Sequence, residues 1–305
     1  MKAFEYSSTH SKVLYLFVFC LAGLFLAGSL VVAISGLWGE QLMMTAWGLR
    51  LSSAIQMGLM FFLPAYTLTV WSNKNPISYF GLNRSDNTLY LFQLAFLILL
   101  VSMPFISLIA QLNQSVVLPN WLSDLETWMR NLETSAEETT NMLLAGTSIW
   151  DYFGNLLFVG VFAAVAEEFF FRGSLQQLLV KLFKNKHVGV WMTAFIFSLM
   201  HMQFYGFLPR VMLGVILGYL FVWSNNLWIP ILIHFMNNAL VVTFNFFFKD
   251  NSVYQSLENL PITPTFIVSG LLSLALMFYL LKIYKSKAAT EHKVFEHEIN
   301  SNDNN

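Results

Sequence analysis

An all-α, polytopic membrane bundle of about eight transmembrane helices is the fold class this sequence predicts. Three observations lead there. The first is composition: 56% of the 305 residues are hydrophobic and 11% are charged, with 30 Phe, whereas a soluble globular domain carries about 25% charged residues. The second is segmentation. Apolar stretches fall near 13–37, 51–71, 88–111, 152–180, 188–203, 207–223, 227–247 and 263–283, most of them close to the roughly 20 residues that cross a bilayer as a helix. The third is the distribution of Lys and Arg. Lys2, Lys12, Lys74, Arg84, Lys181, Lys184, Lys186, Lys282, Lys285, Lys287 and Lys293 occupy alternate breaks, and the other breaks hold only Arg50, Arg130, Arg210 and Lys249. The positive-inside rule then puts both termini in the cytoplasm.

The elements follow in chain order. The first apolar run, 13–38, is longer than the roughly 7–15 residues of a signal-peptide core and is expected to stay as a membrane anchor. Cys20 lies within it as a small packing residue. It follows Phe19 rather than a small residue, which argues against lipoprotein cleavage, and one cysteine excludes an intrachain disulfide. Residues 1–150 form the N-terminal transmembrane helices plus a long outer loop. In that loop Trp121, Leu122, Leu125, Trp128, Met129 and Leu132 recur at helical spacing among Asp124, Glu126, Glu133, Glu137 and Glu138. This predicts an amphipathic helix, lying either on the outer membrane surface or against the bundle's own loops. Residues 151–247 form a polar-bearing core, 248–285 a final transmembrane helix, and 286–305 a disordered polar tail. The net charge of -1 gives no case for nucleic acid.

Ionisable groups at a helix centre cost about 2.5–3.5 kcal/mol on insertion scales and usually face the bundle interior. Three sets stand inside the spans: Glu167, Glu168 and Arg172; Phe197 and His201; and His234, Asn237 and Asn238. Glu168 and Arg172 are four apart, the favourable order for an acid–base pair on one helix face. Glu167 is turned about 100° from Glu168 and has no partner in its own helix. Phe197 and His201 share a face, as do His234 and Asn238.

No HExxH pair and no GxSxG elbow is present. Carboxylate and imidazole groups without a nucleophilic Ser or Cys point to activation of water. Glu167 is the expected base, its proton affinity raised in a low-dielectric pocket. His201 would hold the same water, and His234 and Asn238 would donate to a developing oxyanion. Such a set hydrolyses an amide. Taken singly, the residues have plainer readings: Glu168–Arg172 as a stabilising pair, His201 as an interfacial histidine, Asn238 as interhelical glue.

EEFFFR, FSLMH and HFMNN, in this order on successive polar-bearing helices, fit the patterns EExxxR, FxxxH and HxxxN. The stretch 151–247 thereby resembles the CAAX protease and bacteriocin-processing family of intramembrane endopeptidases, the Abi or Ras-converting-enzyme type. No motif position departs from the pattern. The resemblance implies a glutamate-dependent peptidase in which Glu167 and His201 activate water, His234 and Asn238 form the oxyanion hole, and Glu168, Arg172 and Phe197 support the site. It implies no required cofactor on the preferred metal-free reading. The alternative is zinc held by Glu167, His201 and His234. The implied partners are the lipid bilayer and a membrane-associated peptide or protein substrate, with prenylated CaaX proteins as the eukaryotic precedent. The implied location is a bacterial plasma membrane. Two other function classes compete. A noncatalytic membrane immunity or partner-binding protein would tolerate loss of the Glu167 charge. A proton-coupled transporter would show matched Gly- or Pro-broken helices, yet Pro64, Pro104, Pro209 and Pro230 fall at no equivalent places.

Overall fold

The computed structural model describes residues 4–73, 75–83, 88–252 and 261–302; Lys2, Lys74 and Arg84 lie outside them. Every regular element among the described residues is helical. We number the main helices α1 (Thr9–Trp38), α2 (Ala46–Ser72), α3 (Thr88–Gln114), α4 (Ser123–Leu144), α5 (Ile149–Phe183), α6 (Lys186–Leu199), α7 (Phe207–Ser224), α8 (Trp228–Phe248) and α9 (Pro264–Asn302). All but α4 and α6 are long and apolar enough to span a membrane, so seven candidate spans stand where about eight were expected. Together they make this a multi-pass integral membrane protein.

The shortfall is α6. Its 14 residues rise only about 21 Å at 1.5 Å each, short of the roughly 30 Å hydrocarbon core. It stops at Leu199 because the chain then turns, with Met202 at φ 53°. That turn carries His201 back over the bundle interior. The helix still links the two ends of the bundle. Its first turn meets the end of α7 through His187 Nδ1 and the Tyr219 hydroxyl at 2.7 Å, and the loop after it meets the end of α3 where Asn113 donates to the Phe204 carbonyl at 2.9 Å.

Contacts sort the helix ends into two groups. At one end the Phe4 N–H donates to the Trp71 carbonyl, Lys12 and Lys181 line one cavity, the Leu227 N–H donates to the Gly81 carbonyl, and Lys285 lies over the Trp223 ring. At the other end α2 starts beside the α4–α5 junction through Arg50, and Tyr152 meets Thr243 at 3.1 Å. The start of α1 and the lysine-bearing part of α9 therefore lie at the same end, the lysine-rich one. Beyond the span, α9 continues to Asn302, so the polar stretch expected to be disordered from 286 is helical to that point. The stretch 286–302 contains no Pro or Gly to stop a helix.

Phenylalanine fills the centre. Phe61, Phe80, Phe169, Phe170, Phe171 and Phe197 belong to one buried cluster with Leu16, Leu68 and Leu175, which accounts for the FFF run inside the acidic motif. Helix α1 approaches α2 closely at Gly23, where a Cβ would stand 1.9 Å from the Leu59 carbonyl oxygen. Leu59 lies in a π-turn, Gly58–Phe62. Two more π-turns, Leu156–Phe162 and Phe171–Gln176, flank the acidic motif of α5, and single π-turns of this kind frequently mark functional sites.

The amphipathic helix expected in the long loop is α4. Its apolar side remains open, with Leu125 and Trp128 exposed, as is Trp121 in the short turn just before it, although Trp128 also meets Phe204 at 5.6 Å. A face of this kind outside the bundle favours the bilayer surface over the bundle's own loops.

Candidate active site

Helix α5 presents both acids inward: Glu167 is 5% exposed, and Glu168 and Arg172 are fully buried. Arg172 Nη1 donates to Glu168 Oε1 at 2.6 Å. The same oxygen accepts from His234 Nδ1 of α8 at 2.8 Å. Arg172 Nη2 donates to the Gly214 carbonyl of α7 at 3.1 Å, and the guanidinium lies 4.9 Å from the centre of the Phe197 ring. One ion pair thus joins α5, α7 and α8, and α6 through the Phe197 ring. Gly214 permits this, since a Cβ there would meet the Ala194 Cβ at 3.0 Å. Glu168 Oε2 and Arg172 Nε are buried without a hydrogen-bond partner.

Glu167 is placed differently. Its Oε2 lies 3.8 Å from His234 Nε2, too far for a hydrogen bond. Because His234 Nδ1 carries the proton given to Glu168, Nε2 presents a lone pair in the neutral ring and a second N–H in the imidazolium.

His201 sits in the turn after α6. Its Nδ1 donates to the Phe197 carbonyl at 2.8 Å, leaving Nε2 as the free acceptor. Burial lowers its proton affinity below the ordinary histidine range, and the charges of Glu167 and His234 both act on it, so the ring is neutral near pH 7. The Phe197 ring stands 4.9 Å from the His201 ring and 6.1 Å from the His234 ring, with Arg172 also against it. Phe197 is therefore the apolar centre around which the predicted residues gather.

Asn238 lies one turn beyond His234 and donates from Nδ2 to the Val159 carbonyl at 3.1 Å. Val159 belongs to the π-turn Leu156–Phe162, whose wider loop leaves carbonyls for side chains. The Asn238 side chain also accepts from Asn237 Nδ2 at 3.3 Å.

The motifs of α5, α6 and α8 are thus brought to one place. No sequence pattern marked the carbonyls of Gly214 and Val159, because a backbone acceptor has no residue signature. Arg50, a loop charge by its place in the sequence, is fully buried near the start of α2. It donates to Asp151 at 2.8 Å, Asn155 at 2.7 Å and the carbonyls of Leu143 at 3.2 Å and Ala145 at 2.7 Å. The signal for it was the four-residue spacing of Asp151 and Asn155 on α5.

Zinc would need three ligands and an open position. The Glu167–His234 separation of 3.8 Å lies between the roughly 3.3 Å expected of two tetrahedral zinc ligands and the roughly 4.5 Å spanned by two partners of one water. No three His, Cys, Asp or Glu side chains among the described residues are grouped to hold a metal. As placed, the residues form a two-member set rather than a three-ligand site.

Beside the site, α4 and the loop after His201 enclose a polar cavity of about 570 Å³. Arg130, Glu133, Glu137, Gln203 and Tyr205 are among its lining residues, and neither Glu167 nor His201 is. Glu133 accepts from the Tyr205 N–H at 3.0 Å.

The fold and site define a multi-pass membrane protein with a buried acid–imidazole cluster at the meeting of four helices. Residues 149–240 match the family model described as type II CAAX prenyl endopeptidase Rce1-like. This Rce1-like segment contains every predicted site residue and covers less than a third of the chain. A Bacillus subtilis (strain 168) protein described as uncharacterized protein YpbD is 29% identical over 90 residues, which is 28% of this chain and 43% of the relative. The chain therefore spans less than half the length of that relative. No solved structure matches.

Proposed function

We propose that this protein is an intramembrane endopeptidase of the CAAX type, hydrolysing a peptide bond in a membrane-associated protein or peptide. One observation carries the reading: a buried carboxylate, Glu167, faces an imidazole at 3.8 Å, and that imidazole is held from behind by a second carboxylate. Water is the nucleophile. Glu167 accepts one of its protons while His201 Nε2 accepts a hydrogen bond from the other and orients the oxygen. The water oxygen forms the C–O bond, and the carbonyl π electrons move to the oxyanion. His234, protonated and steadied by Glu168, donates from Nε2 to that oxyanion, with Asn238 Nδ2 as the second donor. Collapse breaks the C–N bond, and the proton held by Glu167 passes to the leaving amine. Arg172 holds Glu168 in place through the 2.6 Å hydrogen bond, so it is a positioning residue.

The Rce1-like match supports prenylated CaaX-type chains as one substrate class, and the plasma membrane of a bacterium is the proposed location. No step is routed through zinc. The metal alternative, with Glu167, His201 and His234 as ligands, is separated by experiment.

The experiment is cleavage of a library of membrane-proximal and lipidated peptides by the purified protein, with Glu167→Ala in parallel and a strong zinc chelator in a third arm. Cleavage lost in the variant and kept in chelator is expected. Loss in chelator would move the mechanism to zinc. Cleavage retained by a folded Glu167→Ala protein would sink the glutamate mechanism. A folded wild type that cuts nothing, while Glu167→Gln keeps function in cells, would favour the noncatalytic binding protein.

A further inference from the structure

At the lysine-rich end, the start of α1, the end of α2 and the later part of α5 enclose a cavity of about 50 Å³ lined by Thr9, Lys12, Thr69, Ser72, Ser174 and Lys181, with Leu68, Asn73, Tyr79 and Leu178 completing it. Two lysines line it, and no carboxylate is among its lining residues; Glu5 acts on Lys12 from outside. Ser72 is 8% exposed, and its hydroxyl is buried with no hydrogen-bond partner. Two further hydroxyls are weakly engaged. Thr69 and Ser174 meet at 3.4 Å, and Ser174 reaches the Ala65 carbonyl at 3.5 Å, both at the outer limit of a hydrogen bond. Buried polar groups in native proteins are nearly always partnered, so an unpartnered serine hydroxyl on a cavity that two lysines also line points to a missing acceptor.

The space suits a particular one. At about 10–15 Å³ of such volume per water, the cavity holds on the order of three to five heavy atoms, about the size of one phosphate group. Lysine ammonium groups and hydroxyl donors are the usual partners of that anion. We infer that this cavity binds a phosphate group, donated to by Ser72, Thr69 and Ser174 and neutralised by Lys12 and Lys181. The ligand is either the headgroup of an anionic phospholipid in the leaflet touching the lysine-rich end or free inorganic phosphate. Ser174 lies in the π-turn Phe171–Gln176, which also holds Arg172. An occupied site therefore clamps α1 and α2 onto the segment that carries the ion pair of the candidate active site. The inference does not depend on the protease reading, because its test reads stability.

The full chain is purified in neutral detergent, and its thermal unfolding midpoint is followed in two titrations. One uses inorganic phosphate against chloride of equal ionic strength, and the other uses short-chain phosphatidylglycerol against phosphatidylcholine. A saturable rise of several degrees is expected with at least one anionic probe. A rise with phosphatidylglycerol alone assigns the lipid, and a rise with inorganic phosphate assigns the free ion. The rise should vanish in Lys12→Gln/Lys181→Gln and shrink in Ser72→Ala, whose small change leaves folding intact if the double variant does not fold. No saturable rise with either probe, or a rise undiminished in the folded variants, overturns the inference.

Discussion

Two fully buried arginines organise this membrane protein, and they are provided for differently. Arg50 has a carboxylate, a carboxamide and two backbone carbonyls, so each of its three nitrogens has a partner. It ties the start of α2 to the α4–α5 junction near the end of the bundle. Arg172 lies within the second π-turn of α5, shares one oxygen of Glu168 with His234, and leaves its own Nε and the second Glu168 oxygen unpartnered. A completely satisfied network stabilises a junction and does little else. The incompletely satisfied one holds an imidazole at a set angle and keeps spare hydrogen-bonding capacity beside a lone carboxylate. Unmet polar capacity in an apolar interior costs about 1–3 kcal/mol per group, and sites that retain such a cost are usually where chemistry occurs.

The sharpest way to break this contrast is to remove the carboxylate that neither arginine holds. Glu167→Gln should lower peptide cleavage by about 10²–10⁴-fold, the usual contribution of a general base, with the unfolding midpoint unchanged. An equal loss of activity in a stable Arg50 variant would erase the distinction. Next come the arginines themselves. Arg50→Ala should destabilise by about 1–3 kcal/mol, because it leaves the buried Asn155 amide oxygen without its donor while Asp151 keeps some access to water, and Arg172→Ala by about 3–5 kcal/mol, because it strands the buried Glu168. Denaturant titration checks the stability. Cleavage per folded molecule should survive in the first and collapse in the second, where His234 loses its anchored partner. Gly214→Ala should cost about 1–3 kcal/mol by forcing α7 away from Ala194, and it should lower the cleavage rate as the carbonyl under Arg172 shifts. The smallest effect concerns pH. His201 has its proton affinity lowered by burial, so its contribution is present above the unfolded histidine value near 6.5 and is lost as pH falls through the lower folded value. The midpoint should therefore drop on going from about pH 7.5 to pH 5.5, and His201→Gln should flatten that drop.

Most of the helical order was legible because lipid admits few alternatives: an apolar run of spanning length has to be a helix or part of a closed barrel. The predicted spans at 88–111, 207–223 and 227–247 fall within a few residues of α3, α7 and α8. The fifth expected span was read as full length because hydropathy continues through Met200 and Met202. The turn there depends on a left-handed residue and on contacts with α3, neither of which composition reports. The meeting of Glu168 with Arg172 followed from helical spacing. Its second partner, His234, did not, because the contact depends on how α8 is rotated against α5, and that rotation is set by packing across four helices. The role of Arg50 is illegible for the related reason that two of its four acceptors are backbone carbonyls at a helix junction.

The π-turns on either side of the acidic motif have a consequence for sequence change. A π-turn amounts to one residue more than an α-helix needs over the same length. Deleting a single residue within Leu156–Phe162 would let the helix close into regular turns without breaking it. Everything downstream would then rotate by about 100° and slide about 1.5 Å. Glu167 would leave the interior while composition, hydropathy and all three motifs stayed as they are. For homologues of this chain, a one-residue gap in that short stretch would thus be a stronger sign of lost or altered chemistry than many substitutions spread along the spans.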